Sequence, residues 1–447
     1  MAAPKTLPVI CVEEAGTPKG LTPAQAKWAT ASGFTGQRGK LLALPGDDGA
    51  IAGYLFGLGT PDGRPRLITG LAGAALEPGR YRLEGTIADP TLAALGFRLG
   101  AYRFDKYRKP KASAELADLK GADLAEVARL TDAAFLARDL VNIPANDLGP
   151  EAFEKEIRAF ATRHKMKLKA IVGDDLLKQN FPMIHAVGRA AHEAPRLIDM
   201  TWGKASDPKV TLVGKGVTFD TGGLDIKPSA GMLLMKKDMG GAANTLGLAH
   251  AIMDAGLKVR LRVLIPIVEN AISASSFRPG DVLRARNGST VEIGNTDAEG
   301  RLILGDALCL ADEESPDLIV DMATLTGAAR VALGPDLPPL YSNDDDLAAA
   351  LMSSGAAAED PLWRLPLWAP YESMIGSKIA DVNNAGQGGF AGSITAALFL
   401  QRFVKQAKAW AHLDIFAWAP EPRPSRPFGG TDQGIRAVYG VLKQRYS

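Results

Sequence analysis

The sequence predicts an α/β protein with a small N-terminal α/β domain and a larger C-terminal α/β domain built on a central, mostly parallel sheet. Three observations lead to this prediction. The chain has 447 residues, enough for more than one hydrophobic core. Beyond residue 150, apolar strand-like runs alternate with helical periodicity. A polar, lysine-rich segment at 109–121 separates this region from the preceding one, so we predict domains at 1–120 and 121–447.

Short apolar runs predict strands in the N-terminal part: LPVICV, KLLALPG, AGYLFGLG and YRLEG. Asp89 followed by Pro90 predicts the start of a helix, because aspartate caps free amides and proline favours the first helical position. An apolar stripe from Val127 to Val141 predicts a second helix, which must end before Pro144 because the residue preceding proline resists helical dihedrals.

The C-terminal part contains six further strand-like runs: LKAIVG, RLIDMTW, KVTLVG, RLRVLIPIV, DLIVDMATL and AWAHLDIFAWA. Helical segments lie between them, which is typical of a parallel sheet covered on both faces. Such sheets place their functional groups at the carboxyl ends of the strands. We therefore expect the chemistry to lie after strands.

Composition excludes several classes of protein. Apolar residues make up 46% and charged residues 23%, as in ordinary globular proteins. The net charge of +1 makes nucleic acid an improbable partner. No apolar run has the length of a signal peptide or of a membrane-spanning helix, so neither export nor membrane insertion is expected. Cys11 and Cys309 are too few for a cysteine zinc site, and the five histidines form no HExxH motif. A cytoplasmic location is expected, and any metal must rely mainly on oxygen ligands.

The first chemical cluster is VGKGVTFDTGGLDIKP, residues 213–228, a strand that runs into a glycine-rich turn carrying Lys215, Asp220, Asp225 and Lys227. Glycine and lysine after a strand could indicate a phosphate cradle, but the P-loop pattern is absent. A tight turn with solvated charges is the other reading of this segment alone.

The second cluster is MKKDMGGAANTLGLAHAI, residues 235–252, in which Asp238 precedes a helix. Asp238 could be a metal ligand or could cap that helix. Met235 could be core or pocket wall. His250 is interpreted as a packed helix residue.

The third cluster, residues 291–313, contains Asp297, Glu299 and Arg301 at a spacing of two. In an extended segment these side chains would project to one side. Two neighbouring carboxylates repel unless a cation lies between them, although an isolated pair could also be first-turn helix charges. Together the clusters supply four carboxylates after strands of one predicted sheet, enough for two divalent ions that activate water for hydrolysis. The spacing leaves peptide and phosphate ester open.

NTDAEGRL at 295–302 resembles the signature of the leucine aminopeptidase family, the M17 cytosolic metalloexopeptidases. VGKGVTFDTGGLDIKP and MKKDMGGAA resemble the two preceding metal segments of that family. Further similarity lies in ARDLVNIPAN, DMATLTGA and AGSITAALFLQRF, so the resemblance covers about residues 125–420. Thr221 and Asp225 stand where relatives often have serine or another small polar residue. The resemblance implies a leucyl-type aminopeptidase whose C-terminal domain is catalytic, with the N-terminal domain serving assembly or regulation.

The resemblance also implies residue roles. One metal would be bound by Lys215, Asp220, Asp238 and Glu299, and the other by Asp220, Asp297 and Glu299. Two divalent ions per subunit are implied, zinc or manganese, with magnesium also compatible. Lys227 would stabilise the oxyanion, and Arg301 would hold bicarbonate as general base.

The pocket for the first side chain would be lined by Met235, Thr324, Leu325 and Gly327, which suggests apolar residues such as leucine or methionine. The implied substrates are short peptides with a free N-terminus, and the implied assembly is a homohexamer. Two alternatives remain at this stage. One is a metal-dependent phosphohydrolase using the same carboxylates, and the other is a non-catalytic chain whose N-terminal domain binds nucleotide or nucleic acid.

Overall fold

The computed structural model describes residues 5–447, which divide into two compact units. The first contains the described residues up to Phe135 together with Ala419–Phe428. The second contains Leu136–Trp418 and Gly429–Ser447. The sequence-predicted α/β architecture, with a smaller N-terminal part and a mostly parallel sheet in the C-terminal part, is confirmed.

The N-terminal unit is built on a five-stranded sheet in the order β2-β3-β1-β4-β5, in which only the β2–β3 pair is antiparallel. Its strands are β1 Thr6–Glu13, β2 Leu41–Pro45, β3 Ile51–Gly59, β4 Gly79–Gly85 and β5 Ala114–Leu116, and its helices are α1 Pro23–Ala31, α2 Gly70–Ala75 and α3 Pro90–Gly100. The Asp89 side chain accepts a hydrogen bond from the Leu92 amide at the start of α3, as the Asp-Pro signal predicts.

The remaining strands are β6 Lys167–Val172, β7 Arg196–Trp202, β8 Lys209–Gly214, β9 Gly216–Asp220, β10 Arg260–Asn270, β11 Val282–Arg284, β12 Thr290–Glu292, β13 Leu318–Ala323, β14 Pro339–Ser342, β15 Trp363–Arg364, β16 Val382–Asn383, β17 Trp410–Asp414, β18 Trp418–Ala419 and β19 Gly429–Gly430. The remaining α-helices are α4 Leu124–Asn142, α5 Pro150–Arg163, α6 Asp175–Lys178, α7 Pro182–Gly188, α8 Ser229–Met232, α9 Gly240–Asp254, α10 Gly300–Asp312, α11 Gly327–Leu333, α12 Asp345–Ala357, α13 Gly392–Gln401 and α14 Ile435–Tyr446. Short 3-10 helices cover Met235–Met239, Ala369–Ile375 and Gln387–Gly389. As predicted, α4 ends before Pro144.

The main sheet of the second unit has the order β15-β14-β17-β13-β8-β10-β7-β6, with β9 also paired to β10. Strands β17, β13, β8 and β10 are parallel, whereas β7, β6 and β14 join through antiparallel pairs. The parallel strands are apolar and almost fully buried, and α10 and α13 pack into the same core. This rigid support carries the polar loops described below.

The prediction that all three chemical clusters directly follow strands of one sheet holds for the first cluster and is wrong for the other two. Asp238 lies in the 3-10 helix Met235–Met239, which follows α8. Strand β12, which precedes Asp297 and Glu299, belongs to a separate three-stranded sheet, β11-β12-β16. The segment is also not extended, because Thr296 and Asp297 form a turn and Glu299 has helical dihedrals at the start of α10. The turn, rather than strand alternation, directs these carboxylates.

None of the helices between residues 5 and 447 combines the length and apolar character that crossing a lipid bilayer requires.

Candidate metal centre

Three carboxylates from two distant segments meet at one point. Asp220 ends β9, and Asp297 and Glu299 immediately precede α10. One ligand oxygen from each lies within 4.8 Å of the others. Ligand oxygens on opposite sides of one divalent ion are separated by about 4 to 5 Å, given ion–oxygen distances of about 2.0 to 2.6 Å. The spacing of these oxygens therefore suits a divalent ion.

Lys215 connects Asp238 to this group. Its Nζ lies 2.8 Å from Asp238 Oδ2 and 2.9 Å from Glu299 Oε1, and it donates a 2.9 Å hydrogen bond to the Thr324 carbonyl. Gly300 makes this path possible, because a Cβ atom there would lie 2.5 Å from Lys215 Cε. The lysine side chain thus passes through space that only glycine leaves open.

Lys227 occupies the other side of the cluster. Its Nζ lies 2.9 Å from Asp220 Oδ2 and also forms an ion pair with Asp297 Oδ1. The Lys227 side chain is 15% exposed, compared with 3% for Lys215, and it lines the cavity above the carboxylates. Lys215 lines the cavity as well, and Lys227 is the more exposed lysine of the pair.

The charges of the cluster do not balance. Four carboxylates face two ammonium groups. Burial raises the pKa of Glu299 to about 8, and Asp220 adds to the rise while Lys215 offsets part of it. Burial and Asp220 raise the pKa of Asp297 to about 6 against the opposing effect of Lys227. Burial favours neutral amines, but the surrounding carboxylates outweigh it and raise the pKa of both lysines. Further positive charge would stabilise the ionised carboxylates.

The donor set fits divalent metal ions. Asp238 Oδ2, Asp297 Oδ1 and Glu299 Oε1 are buried, and the donors near them among residues 5–447 are lysine ammonium groups. Metal ions would satisfy the coordination capacity that these oxygens retain. Hard oxygen ligands suit magnesium and manganese, and carboxylates also bind zinc.

Thr296 and Asp225 fasten the two segments together, a role that sequence reasoning missed. Thr296 Oγ1 donates to the Gly222 carbonyl at 2.6 Å and accepts from the Asp225 amide at 2.8 Å. The Asp225 carboxylate in turn accepts from the Thr296 amide at 2.7 Å. Gly222 has φ +89°, and a Cβ there would lie 2.5 Å from the Asp225 carbonyl oxygen. The turn conformation itself therefore requires glycine.

Asn270 is a second residue that the sequence interpretation overlooked. Its Nδ2 group donates to Asp220 Oδ1 at 2.8 Å and to the Thr296 carbonyl at 3.1 Å, and the residue is fully buried. Its position at the carboxyl end of β10 is the signal that could have revealed it.

The alternative readings of the three clusters find little structural support. The amides of Gly222 and Gly223 already donate to Asp220 Oδ1 and Thr221 Oγ1, so the first turn is not a free phosphate cradle. Neither α9 nor α10 receives a side-chain capping hydrogen bond at its start. The carboxylates of Asp238 and Glu299 are instead oriented toward Lys215. His250 packs against His164, with ring centroids 5.1 Å apart, as predicted for a packed histidine.

Arg301 lines the cavity beside the carboxylates and is 8% exposed. Its Nη1 donates to the Asn384 carbonyl at 2.7 Å, whereas its Nε is buried without a hydrogen-bond partner among the described residues. Burial lowers the pKa of Arg301 to about 10, so the guanidinium remains charged at neutral pH. The side chain of Asn384 holds the loop in place by bonding to the backbone of Gly294, Asn295 and Ala298.

The cavity above the cluster has a volume of about 520 Å³. Met235, Thr324, Leu325 and Gly327 all line it. A Cβ atom on Gly327 would meet nothing within 4 Å, so this side of the cavity is open. Lys237, which the sequence interpretation did not single out, also lines the cavity. Burial lowers the pKa of Lys237 to about 8, although Asp238 opposes the shift.

Comparison with known proteins agrees with this geometry. The catalytic-domain profile of the cytosol aminopeptidase family matches residues 135–439, and the profile of the M17 aminopeptidase N-terminal domain matches residues 15–120. A probable cytosol aminopeptidase of Roseiflexus castenholzii is 42% identical over 78% of this chain and 75% of its own length. Another, from Geotalea uraniireducens, is 39% identical over 92% of this chain and 89% of its own length.

Two solved structures are similar throughout. The cytosol aminopeptidase from Coxiella burnetii has a TM-score of 0.93 and 46% identity, covering 99% of this chain and 98% of its own. The bottromycin maturation enzyme BotP, solved in complex with Mn, has a TM-score of 0.90 and 36% identity, covering 98% of this chain and 99% of its own.

Fold, carboxylate cluster and relatives together define a metal-dependent peptidase that acts at the N-terminus of its substrates. The chain belongs to the M17 cytosol aminopeptidase family, and both domains of that family are present.

Proposed function

We propose that this chain is a leucyl-type aminopeptidase that uses two divalent metal ions to release the N-terminal residue of short peptides. The observation that carries the proposal is the meeting of Asp220, Asp297 and Glu299 within 4.8 Å at the floor of a cavity, with Lys215 linking Asp238 to the same group. The M17 family assignment supports the same reaction.

Asp220, Asp297 and Glu299 would hold one ion, and Lys215, Asp220, Asp238 and Glu299 would hold the other. When bound, two such ions would supply Lewis acidity that lowers the pKa of a water molecule and stabilises negative charge on the substrate carbonyl oxygen. Manganese is supported by the relative solved with Mn, and zinc and magnesium are compatible with carboxylate ligands. Lys215 is charged in the ion pairs described above, so ligation requires it to lose its proton.

Lys227 would stabilise the oxyanion. Its ammonium group reaches the cavity, and it can donate to an oxygen on which negative charge develops in the transition state. Arg301 would hold bicarbonate as general base, because its buried Nε has a donor to spare and its charge suits an anion. Met235, Thr324, Leu325 and Gly327 would surround the first side chain and accept apolar residues such as leucine or methionine.

We further propose that residues 1–120 form a domain used in assembly or regulation, residues 121–447 the catalytic domain, and that six copies associate as a homohexamer in the cytoplasm. The match of a distinct N-terminal domain profile supports the division into domains, and the names of the cytosol aminopeptidase relatives support the location. Light scattering coupled to size-exclusion chromatography would give a mass six times 47.2 kDa if it is correct.

The function is tested with leucyl 4-nitroanilide and its N-acetylated form. Release of nitroaniline from the first compound alone is expected, because recognition requires a free amine. Equal hydrolysis of both would contradict an exopeptidase. Nitrophenyl phosphate serves as a third substrate, and faster phosphate release than anilide cleavage would favour a phosphohydrolase using the same carboxylates.

A further inference from the structure

Lys237 is a buried cation that lines the active-site cavity. The residue is 5% exposed, and its ammonium group forms neither a hydrogen bond nor an ion pair with any residue between 5 and 447. Its Nζ makes a cation–π contact with the ring of Phe416, whose centroid lies 4.9 Å away. Burying an ammonium group without an anion is costly, so a partner supplied from the cavity would stabilise it.

Three other cations of the cavity already have polar partners. Lys215 and Lys227 pair with carboxylates, and Arg301 donates to the Asn384 carbonyl. The nearby Asp414 carboxylate is also occupied, since it accepts from the amides of Leu325 and Thr326 and from the Thr326 hydroxyl. Among residues 5–447, no carboxylate at this end of the cavity therefore forms an ion pair with Lys237.

A second cation approaches the same aromatic ring. The Arg330 guanidinium carbon lies 5.0 Å from the Phe416 centroid, and Arg330 is an exposed residue of the cavity lining. Two like charges beside one ring repel each other, and an anion that contacts both would reduce this repulsion. Guanidinium and ammonium groups together are a suitable donor set for a carboxylate.

The location relates this cation pair to the first substrate residue. Lys237 shares the 3-10 helix Met235–Met239 with Met235, and Arg330 shares α11 with Gly327. Met235 and Gly327 are two of the residues proposed above to surround the first side chain. The same two elements thus carry both the apolar wall and the cations.

We propose that Lys237, assisted by Arg330, binds a carboxylate of the substrate, and that the side chain of an N-terminal glutamate or aspartate is its favoured source. The carboxyl terminus of a dipeptide is the other source of the same chemistry. This inference rests on the proposed aminopeptidase function and extends its substrate class from apolar to acidic first residues.

The test compares glutamyl, glutaminyl and leucyl anilides in the metal-loaded wild-type enzyme and in Lys237→Met, which keeps the apolar stem and removes the charge. The kcat/KM ratio of glutamyl to glutaminyl substrate is expected to fall by at least about tenfold in the variant, while leucyl hydrolysis persists. Lys236→Met is the matched control. It removes the neighbouring charge, whose Nζ donates to the Asn142 carbonyl, and should keep the wild-type ratio.

A dipeptide arm distinguishes the two sources of the carboxylate. If Lys237→Met lowers kcat/KM for Leu-Gly more than for Leu-Gly-amide, the result would support the subsite, with the carboxyl terminus of the peptide as its ligand. The inference would be overturned if Lys237→Met changed neither the glutamyl-to-glutaminyl ratio nor the Leu-Gly-to-Leu-Gly-amide ratio. Cleavage of leucyl anilide by the same preparation would leave the proposed function standing. Absence of all hydrolysis by the metal-loaded wild type would instead contradict the proposed function.

A binding measurement covers the case in which Lys237→Met does not fold. Calorimetry on the wild type should give tighter binding of L-glutamate than of L-glutamine, and Arg330→Gln, at an exposed position, should reduce the difference. Equal affinities for the two amino acids would overturn the inference.

Discussion

Lys215 and Lys227 act as internal counter-ions for the carboxylate cluster. Each lies within 2.9 Å of carboxylate oxygens, and the burial that would favour a neutral amine is outweighed by the adjacent negative charges. Their surroundings nevertheless differ, because the Lys215 side chain is 3% exposed and the Lys227 side chain is 15% exposed at the same cavity. This difference separates a proposed ligand from a proposed oxyanion donor.

Lys227→Ala should retain both metal ions and lose activity, because the lysine would contribute to transition-state stabilisation rather than to ligation. A fall in kcat of about 10²- to 10³-fold is expected, comparable to the loss of one oxyanion donor. Bound metal is measured by elemental analysis alongside leucyl anilide turnover, with Lys236→Ala as the control. Loss of metal from the Lys227 variant would show that the lysine has a different role.

Asp297→Ala should have the opposite signature. Removing one carboxylate of the group that meets within 4.8 Å should lower the metal content below two ions per chain and reduce turnover by orders of magnitude. The far-ultraviolet circular dichroism should stay unchanged, because Asp297 lies in a turn. Asp174→Ala, which removes a carboxylate with an 86% exposed side chain, is the control. Full metal occupancy in the Asp297 variant would exclude it as a ligand.

The strands and helices that support the site could largely be predicted from the sequence. The apolar runs predicted the main strands, and the Asp-Pro and Ile-Pro signals predicted the bounds of two helices. The convergence of Asp297 and Glu299 with Asp220 could be anticipated from motif resemblance, but the extended geometry assumed for them was wrong. The roles of Thr296, Asp225 and Asn270 escaped prediction because their hydrogen bonds join residues 26 to 71 positions apart, and residue spacing carries no signal of such pairs.

Thr296→Val should weaken the connection between the two ligand-bearing segments. The change keeps the side-chain shape, removes the donor to Gly222 and leaves the Asp225 amide without its acceptor. We expect a loss of about 1 to 3 kcal/mol in the free energy of unfolding and about 10- to 100-fold weaker metal binding. Urea denaturation and metal titration measure the two effects, and Thr162→Val on the exposed face of α5 is the control. Unchanged metal affinity would contradict this positioning role.

The contact between α5 and β7 should make stability depend on pH. Burial would raise the pKa of Glu154, but hydrogen bonds from Arg196 and Arg158 outweigh it and lower the pKa below 4.5. The stabilisation is therefore fully present above pH 4.5 and is lost as the pH falls through the lowered pKa. Glu154→Gln should be less stable than wild type in urea at pH 7, with a smaller difference in acid. The exposed Glu156→Gln should show no such pattern, and an equal difference for Glu154→Gln at both pH values would contradict the assignment.

At the scale of the whole molecule, function is concentrated in the C-terminal unit. The cavity, the carboxylate cluster and the Lys237 cation all lie within Leu136–Trp418. The near-zero net charge of the chain is consistent with small peptides rather than nucleic acid as partners. Composition could exclude classes of protein, but only the folded geometry reveals that Lys237 forms no ion pair with a carboxylate among residues 5–447, because that property depends on segments distant in the sequence.

The most direct test of the account counts the metal ions bound per chain while following leucyl anilide turnover before and after exhaustive chelation. The account predicts two ions per chain in the active enzyme, loss of turnover as they are removed, and recovery when manganese or zinc is restored. Full activity in protein stripped of metal would contradict it.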